Sequence, residues 1–410
     1  MKTIYPLLII LISCSISLSA QDSEPTPIPG RYIVMLKESA ATPVALNETV
    51  GIDRTSTYEQ NQLKRSTNLN KLVQLRQANG VPENKVVAEY ADALVGFTAD
   101  LTPAEVAKLS ASPDVENVTQ DYTIQMDAQV DEGAPEGYAI AGQTVTCAIQ
   151  NAGGFKVYDG SGDKWLWILD TGIDLDHPDL AVNDLFPYPK SFVPGETYDD
   201  GHGHGTHVAG IAAARNNNFG VVGVSAGALV IPIKVLSNAG VATMTSVLQG
   251  LNHVALYDKF GDVVNLSLGT YPVTNCANSN PPLRTAILNM GTSGTWVCMA
   301  SGNNSGKAIN CNPGCINGTR VVTVSAMTCA GSCAQFPNWG TSVVDWVATG
   351  VNVYSTYKNG KYATFSGTSQ ATPVVAGIIH STGQAPVSGG TVNCGNLQVP
   401  PALYKKARRQ

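Results

Sequence analysis

Three of the chain's six histidines crowd one short run. DDGHGHGTHVAGIAAA, from Asp199 to Ala214, holds His202, His204 and His207 among glycines. Two other runs carry groups that work with an imidazole. WLWILDTGID ends an apolar stretch at Asp170, and FSGTSQATPVVAG puts Ser369 at what reads as a helix start. Aspartate, histidine and serine are the set that nucleophilic acyl transfer needs. A serine hydroxyl is a weak nucleophile, so an imidazole must accept its proton. A buried carboxylate then holds the imidazole tautomer and stabilises its charged form. Glycines beside each group let a substrate backbone come close. The alternative for the histidine run is a metal. A catalytic zinc needs convergent ligands and an open position, and the run has no HExxH pattern and no nearby glutamate base. His204 as base, His207 packed a turn later and His202 in the preceding loop account for it better.

These groups must be carried by buried strands and helix starts. KWLWILD, ALVIPIKVL, DVVNLSLG, TWVCMASG and RVVTVSAM are apolar without strict alternation, as strands covered on both faces should be. TMTSVLQGLNHVALY, between two of them, has a helical period. The expectation is an α/β fold, a parallel sheet with helices on both faces, whose site gathers at the carboxyl ends of the strands. Upstream, Arg31 to Ile124 reads as a separate unit: a strand at RYIVMLKE, helical stretches around EQNQLKRSTNLNKLVQLRQA, one strand at VVAEYADALVGFTAD, a capped helix at LTPAEVAKLSAS and a strand at VENVTQDYTI. MDAQVDEGAPEG then reads as an exposed linker.

The order Asp170, His204, Ser369, within DTGID, HGTHVAG and GTSQATP, resembles the subtilisin-like serine proteases, and the resemblance covers nearly all of the chain. It implies a seven-stranded parallel sheet and peptide-bond hydrolysis through an acyl-enzyme on Ser369, with His204 as general base and Asp170 as its orienting carboxylate. In MASGNNSG, Asn303 matches the family's side-chain oxyanion donor, with the Ser369 N–H as the second. Family members bind peptide as an added strand. By resemblance, Gly240, Val241, Ala242, Ser267, Leu268, Gly269, Ala300, Ser301 and Gly302 together line the first specificity pocket and the strand-pairing edge. None is charged, which points to a neutral or apolar residue before the scissile bond and away from a basic-site convertase. Ala242 stands where a glycine is common in the family, and Gln370 where methionine is usual.

ARNNNFGVVG and HPDL resemble the family's calcium loop. Carried over, the ligands are the Asp179 and Asn217 side chains and the Arg215, Phe219 and Val221 carbonyls, an oxygen set that suits calcium. The chemistry itself needs no cofactor. Residues 30–124 resemble the family's inhibitory, chaperoning propeptide, a small α+β unit of ferredoxin-like form removed by self-cleavage within a linker at 125–136. Residues 137–410 would be the peptidase domain. After Ser369's helix, GIIHSTGQAPVSGG is short and glycine-interrupted where the family's closing helices are longer, so that region's architecture stays open.

Lys2, IYPLLIILIS and SISLSAQ form a charged, apolar and small-residue sequence typical of a secretory signal over residues 1–20. LISC also resembles a lipoprotein box, which would instead anchor the protein through an acylated Cys14. No apolar run is long enough to span a membrane. Eight cysteines follow the signal, an even number that in an exported protein points to disulfides rather than to a zinc ribbon built on CNPGC and CAGSC. The pairing is open; local Cys311–Cys315 and Cys329–Cys333 loops are one option. A net charge of −6 with no basic stripe argues against nucleic acid, and the basic KKARRQ reads as a short solvated tail. The expected partners are peptide or protein substrates and the chain's own propeptide, with the enzyme a monomer. The rivals are an exported peptide-binding pseudoenzyme and a zinc hydrolase.

Overall fold

A computed structural model describes residues 25–38, 53–126, 129–130, 142–273, 276, 280–394 and 402–410. The signal segment, Cys14 and most of the linker lie outside them. No helix among the described residues is long and apolar enough to cross a membrane.

The first unit is a four-stranded antiparallel sheet with two helices. Its strands Thr26–Leu36, Val86–Tyr90, Gly96–Asp100 and Val115–Gln125 lie in the order fourth, first, third, second, the ferredoxin-like arrangement. Helix Arg54–Asn79 starts on Asp53, whose side chain accepts from the Ser56 N–H, and stops at Gly80 with φ 75°. Helix Pro103–Ser110 opens with a Thr102–Glu105 capping box. The expected single strand at VVAEYADALVGFTAD is instead two. The backbone breaks at Ala91–Ala93 because the three N–H groups there all point at Asn252 Oδ1 of the second unit (2.9, 2.8 and 3.3 Å).

The second unit is built on a ten-stranded sheet. Six parallel strands form its centre, in the order Leu229–Lys234, Leu166–Asp170, Val263–Leu266, Trp296–Ala300, Val321–Met327, Trp346–Thr349. Short parallel strands Ala181–Val182 and Lys190–Ser191 flank Leu229–Lys234. Side chains alternate between two cores. Trp167, Leu169, Ile231 and Val264 pack against helices Met244–Tyr257 and Pro281–Ser293. Leu166, Ile168, Val230 and Val263 pack against helices His204–Ala213 and Thr368–Thr382. Both faces are therefore covered, which explains the unbroken apolar strand sequences.

The seven-stranded, all-parallel expectation needs correcting at one edge. The basic tail is a strand, Ala402–Arg408, parallel to Trp346–Thr349 and antiparallel to Val387–Cys394, so the sheet is mixed. Only residues 395–401 separate the last two strands, too few for the crossover that a parallel pair requires. Disulfides join Cys147 to Cys329, Cys276 to Cys315 and Cys333 to Cys394. Neither local loop forms, and Cys298 and Cys311 are buried outside the three bridges.

Candidate active site

Leu166–Asp170 is the strand where chain order reverses. The next long strand, Leu229–Lys234, lies on one side of it and the one after, Val263–Leu266, on the other. The crevice beyond its carboxyl end is where ligands bind in such sheets, and Asp170 is its last residue. His204 opens the helix of the following crossover. Gly203 precedes it with φ 110°, and a Cβ on Gly205 would strike the Gly172 carbonyl. That bare backbone lets the helix start close on the strand end. Asp170 Oδ1 then sits 2.7 Å from His204 Nδ1, with Asp170 fully buried and His204 hidden from solvent. Burial pushes the imidazole pKa down, but the Asp170 charge and hydrogen bond outweigh it and raise it above 6.5.

Ser369 lies in the first turn of helix Thr368–Thr382. Pro373, four residues on, has no N–H to give the Ser369 carbonyl. The Ser267 hydroxyl takes that role at 2.9 Å, and Asn265 Nδ2 donates to Ser267 Oγ at 2.8 Å. The Ser369 hydroxyl is turned to the Ser267 carbonyl at 3.2 Å, while His204 Nε2 has no hydrogen-bond partner among the described residues. The hydroxyl–imidazole bond is thus not made in this rotamer. Asn303 Oδ1 accepts from the Thr368 N–H (2.8 Å) and hydroxyl (2.9 Å), which orients its amide nitrogen as the donating end.

A cavity joins Ser369 and Asn303 to Ser267, Leu268, Gly269, Ala300 and Gly302, and none of the described residues that line it is charged. Cys311, Tyr271 and Met126 also line it, unforeseen. Ser301 does not line it; its buried hydroxyl faces the Asn338 carbonyl at 3.3 Å. Val241, Ala242 and Thr243 pair antiparallel with Gln125, Ile124 and Thr123, and the Met126 N–H donates to the Gly240 carbonyl at 2.9 Å. Beyond, Gln129 and Val130 pair with Ser366 and Phe365. Within the stretch read as an exposed linker, Met126, Gln129 and Val130 thus make backbone pairings with the segments around Gly240 and Ser366, and the rest of it lies outside the described residues.

The histidine run does not converge. His207 Nε2 lies 3.1 Å from both the Val353 and Ala363 carbonyls, and the ring stacks on Phe365. Burial, helped by His204, pushes its pKa down to about 3. His202 Nδ1 accepts from the His204 N–H at 3.3 Å. Among the described residues no three His, Cys, Asp or Glu side chains are placed for a metal. Asp200 was missed by sequence reasoning. Its carboxylate takes the N–H groups of His202, Gly203 and Thr206 and the hydroxyls of Thr171 and Thr206, locking the helix start to the strand end. Its one signal was an acid just before a glycine-rich helix start.

The calcium ligand set is partly assembled. The Arg215 carbonyl, Asn217 Oδ1 and the Val221 carbonyl converge on Gln143 Nε2, at 2.8, 3.4 and 3.4 Å. Turning that amide end for end presents an oxygen instead. Asp179 accepts from Asn217 Nδ2, the Val221 N–H and the Tyr362 hydroxyl, and burial raises its pKa. Phe219 donates its N–H to Asn217 Oδ1. Three oxygens gathered on one amide are donors of the kind a hard cation takes, while Asp179 is held by donors and, among the described residues, no hydrogen bond brings the Phe219 carbonyl into the group.

Residues 166–385 match the Subtilase family and residues 31–127 match Peptidase inhibitor I9. M-protease of Shouchella clausii (strain KSM-K16) is 36% identical over 283 residues, 69% of this chain and 67% of its own. Subtilisin E of Bacillus subtilis (strain 168) is 35% identical over 282 residues, 68% of each chain. Subtilisin Savinase of Lederbergia lenta is 40% identical over 219 residues, 53% of this chain and 75% of its own. A solved cold adapted subtilisin-like serine proteinase aligns with 54% of this chain and 76% of its own at 31% identity, with a TM-score of 0.45. The chain belongs to the subtilase family of serine proteases and carries an I9-type inhibitor domain ahead of the peptidase.

Proposed function

We propose that this subtilase is exported as a zymogen, cuts itself, and then acts as an endopeptidase with Asp170, His204, Ser369 and Asn303 as its catalytic residues. Ser369 Oγ rotates from the Ser267 carbonyl to His204 Nε2, passes its proton there and attacks the peptide carbonyl carbon. Asn303 Nδ2 and the Ser369 N–H hold the resulting oxyanion. His204 gives the proton to the departing amine, and the same imidazole then deprotonates the water that frees the acyl-enzyme. Asp170 holds the tautomer and offsets the imidazolium charge.

The observation that carries the reading is the path of the chain's own backbone. It pairs with Val241–Thr243 up to Gln125, puts Met126 in the Ser369 cavity, and pairs again with Ser366 at Gln129. Peptide substrates of an enzyme that binds by strand addition would lie the same way. The self-processed bond therefore falls between Met126 and Gln129. The uncharged cavity supports a preference for neutral or apolar residues before the cut. Asp179, Asn217 and the carbonyls of Arg215, Phe219 and Val221, joined by Gln143, would hold a structural calcium that stiffens the loop without entering the chemistry.

N-terminal sequencing of secreted protein, with fluorophosphonate labelling, tests the proposal. A mature end within residues 127–129 and a label on Ser369 are expected. A full-length secreted chain that takes no label returns the protein to the rival reading of a peptide binder. Calcium at about 100 times its dissociation constant should add roughly 2.7 kcal/mol to the stability of the chelated protein. No shift in melting temperature would remove the cation.

A further inference from the structure

Far from the cleft, Arg54, 8% exposed, anchors the I9-type unit beside two further contacts, the Asn61 amide on the Ala255 and Leu256 carbonyls and Tyr58 stacked on Tyr257. Its Nη1 donates to Asp262 Oδ2 (2.9 Å) and the Tyr257 carbonyl (2.9 Å). Its Nη2 donates to Asp262 Oδ1 (3.0 Å) and the Asp163 carbonyl (2.7 Å). The guanidinium carbon lies 3.4 Å from the centroid of Trp165, and the Asp163 carboxylate is 3.4 Å from Nε. A planar fork, a bidentate carboxylate, two carbonyls and an aromatic face are what a guanidinium requires and an ammonium cannot fill.

The receiving groups belong to the peptidase unit and do not depend on Arg54 for their shape. Asp262 is fully buried, and its oxygens also accept from the Trp165 N–H (3.0 Å), Trp167 Nε1 (2.9 Å) and the Lys259 N–H (3.2 Å). Those three donors keep the carboxylate in place when the arginine is gone. Trp165 and Asp262 precede strands whose other ends reach the cleft, so the socket and Ser369 stand at opposite ends of the sheet, roughly 15 Å of strand apart. Cutting the chain near Met126 releases nothing at this end.

We propose that Asp262, Trp165 and the Asp163 and Tyr257 carbonyls form a guanidinium-binding exosite that keeps the cleaved inhibitor domain seated through Arg54. This rests on the reading of that domain as a self-cleaved inhibitor. The socket, rather than the processed bond, then sets when activity appears.

The test follows the full chain as it matures, with chain cleavage read on a gel and peptidase activity on a chromogenic peptide. Wild type should be cut first and become active only after a lag. Arg54→Ala should be cut at a similar rate with a lag at least about ten-fold shorter, and Arg54→Lys should fall between them. Millimolar ethylguanidinium should shorten the wild-type lag, and ethylamine should not. If Arg54→Ala does not accumulate, the ethylguanidinium comparison on wild type decides alone. A chain never cut sinks the zymogen reading. A chain that is cut, with a lag unmoved by Arg54→Ala or by ethylguanidinium, overturns the socket.

Discussion

Asp170 Oδ1 and His204 Nδ1 lie 2.7 Å apart in a pair closed to solvent, and the carboxylate's charge lifts the imidazole pKa above its ordinary 6.5 despite burial. A general base works only when neutral. kcat/KM should therefore climb as pH rises through a midpoint above 6.5. Asp170→Asn removes the charge that raises it, so the midpoint should move down and kcat should fall by roughly 10³–10⁴-fold. A pH–rate profile of both enzymes checks this, and an unmoved midpoint contradicts it.

Asn303 is held by Thr368 with its amide nitrogen as the donating end. Asn303→Ala should lower kcat by about 10²–10³-fold with KM nearly unchanged, since the donor serves charge that exists only in the transition state. Thr368→Val should produce a smaller loss of the same kind by releasing the amide. Steady-state kinetics on one peptide separates the two parameters.

Ser267 replaces the backbone donor that Pro373 cannot supply to the Ser369 carbonyl. Ser267→Ala leaves a buried acceptor unmet, at about 1–3 kcal/mol. Were that strain relieved by a shift of the helix start, kcat would fall roughly 10- to 100-fold. Asn265→Ala should show a weaker version. An unaffected kcat in both would assign the hydroxyl to packing alone.

Gln370 follows Ser369 and is 2% exposed. It has no thioether to oxidise. Mature enzyme should keep its activity in mild peroxide, and Gln370→Met should make it peroxide-sensitive. Residual activity over time is the measurement, and rapid wild-type loss would refute the idea.

Much of this molecule could be read before it was folded. The five buried strands were visible because both faces of the sheet are covered, and the three glycine-flanked segments were visible because chemistry and close backbone approach restrict residue choice there. What stayed hidden depends on distant partners. Cys147 finds Cys329 across 182 residues, a pairing no local spacing encodes. Thr368, Gln143 and Asp200 are ordinary polar residues until the fold gives them something to hold. Arg54 opens a polar helix that any solvated arginine could have opened. The strand Ala402–Arg408 passed for a tail because its charges dominate, although Tyr404 and Ala407 are buried.

The antiparallel edge of the sheet bears on how such an enzyme outlasts its siblings. A peptidase that reads extended backbone treats any loose ribbon on a neighbouring copy as food. Here the outermost strand, Val387–Cys394, is zipped to Ala402–Arg408 and riveted by its last residue to Cys333. It cannot peel away far enough to thread another molecule's cleft, so a concentrated preparation should be slow to digest itself from this side.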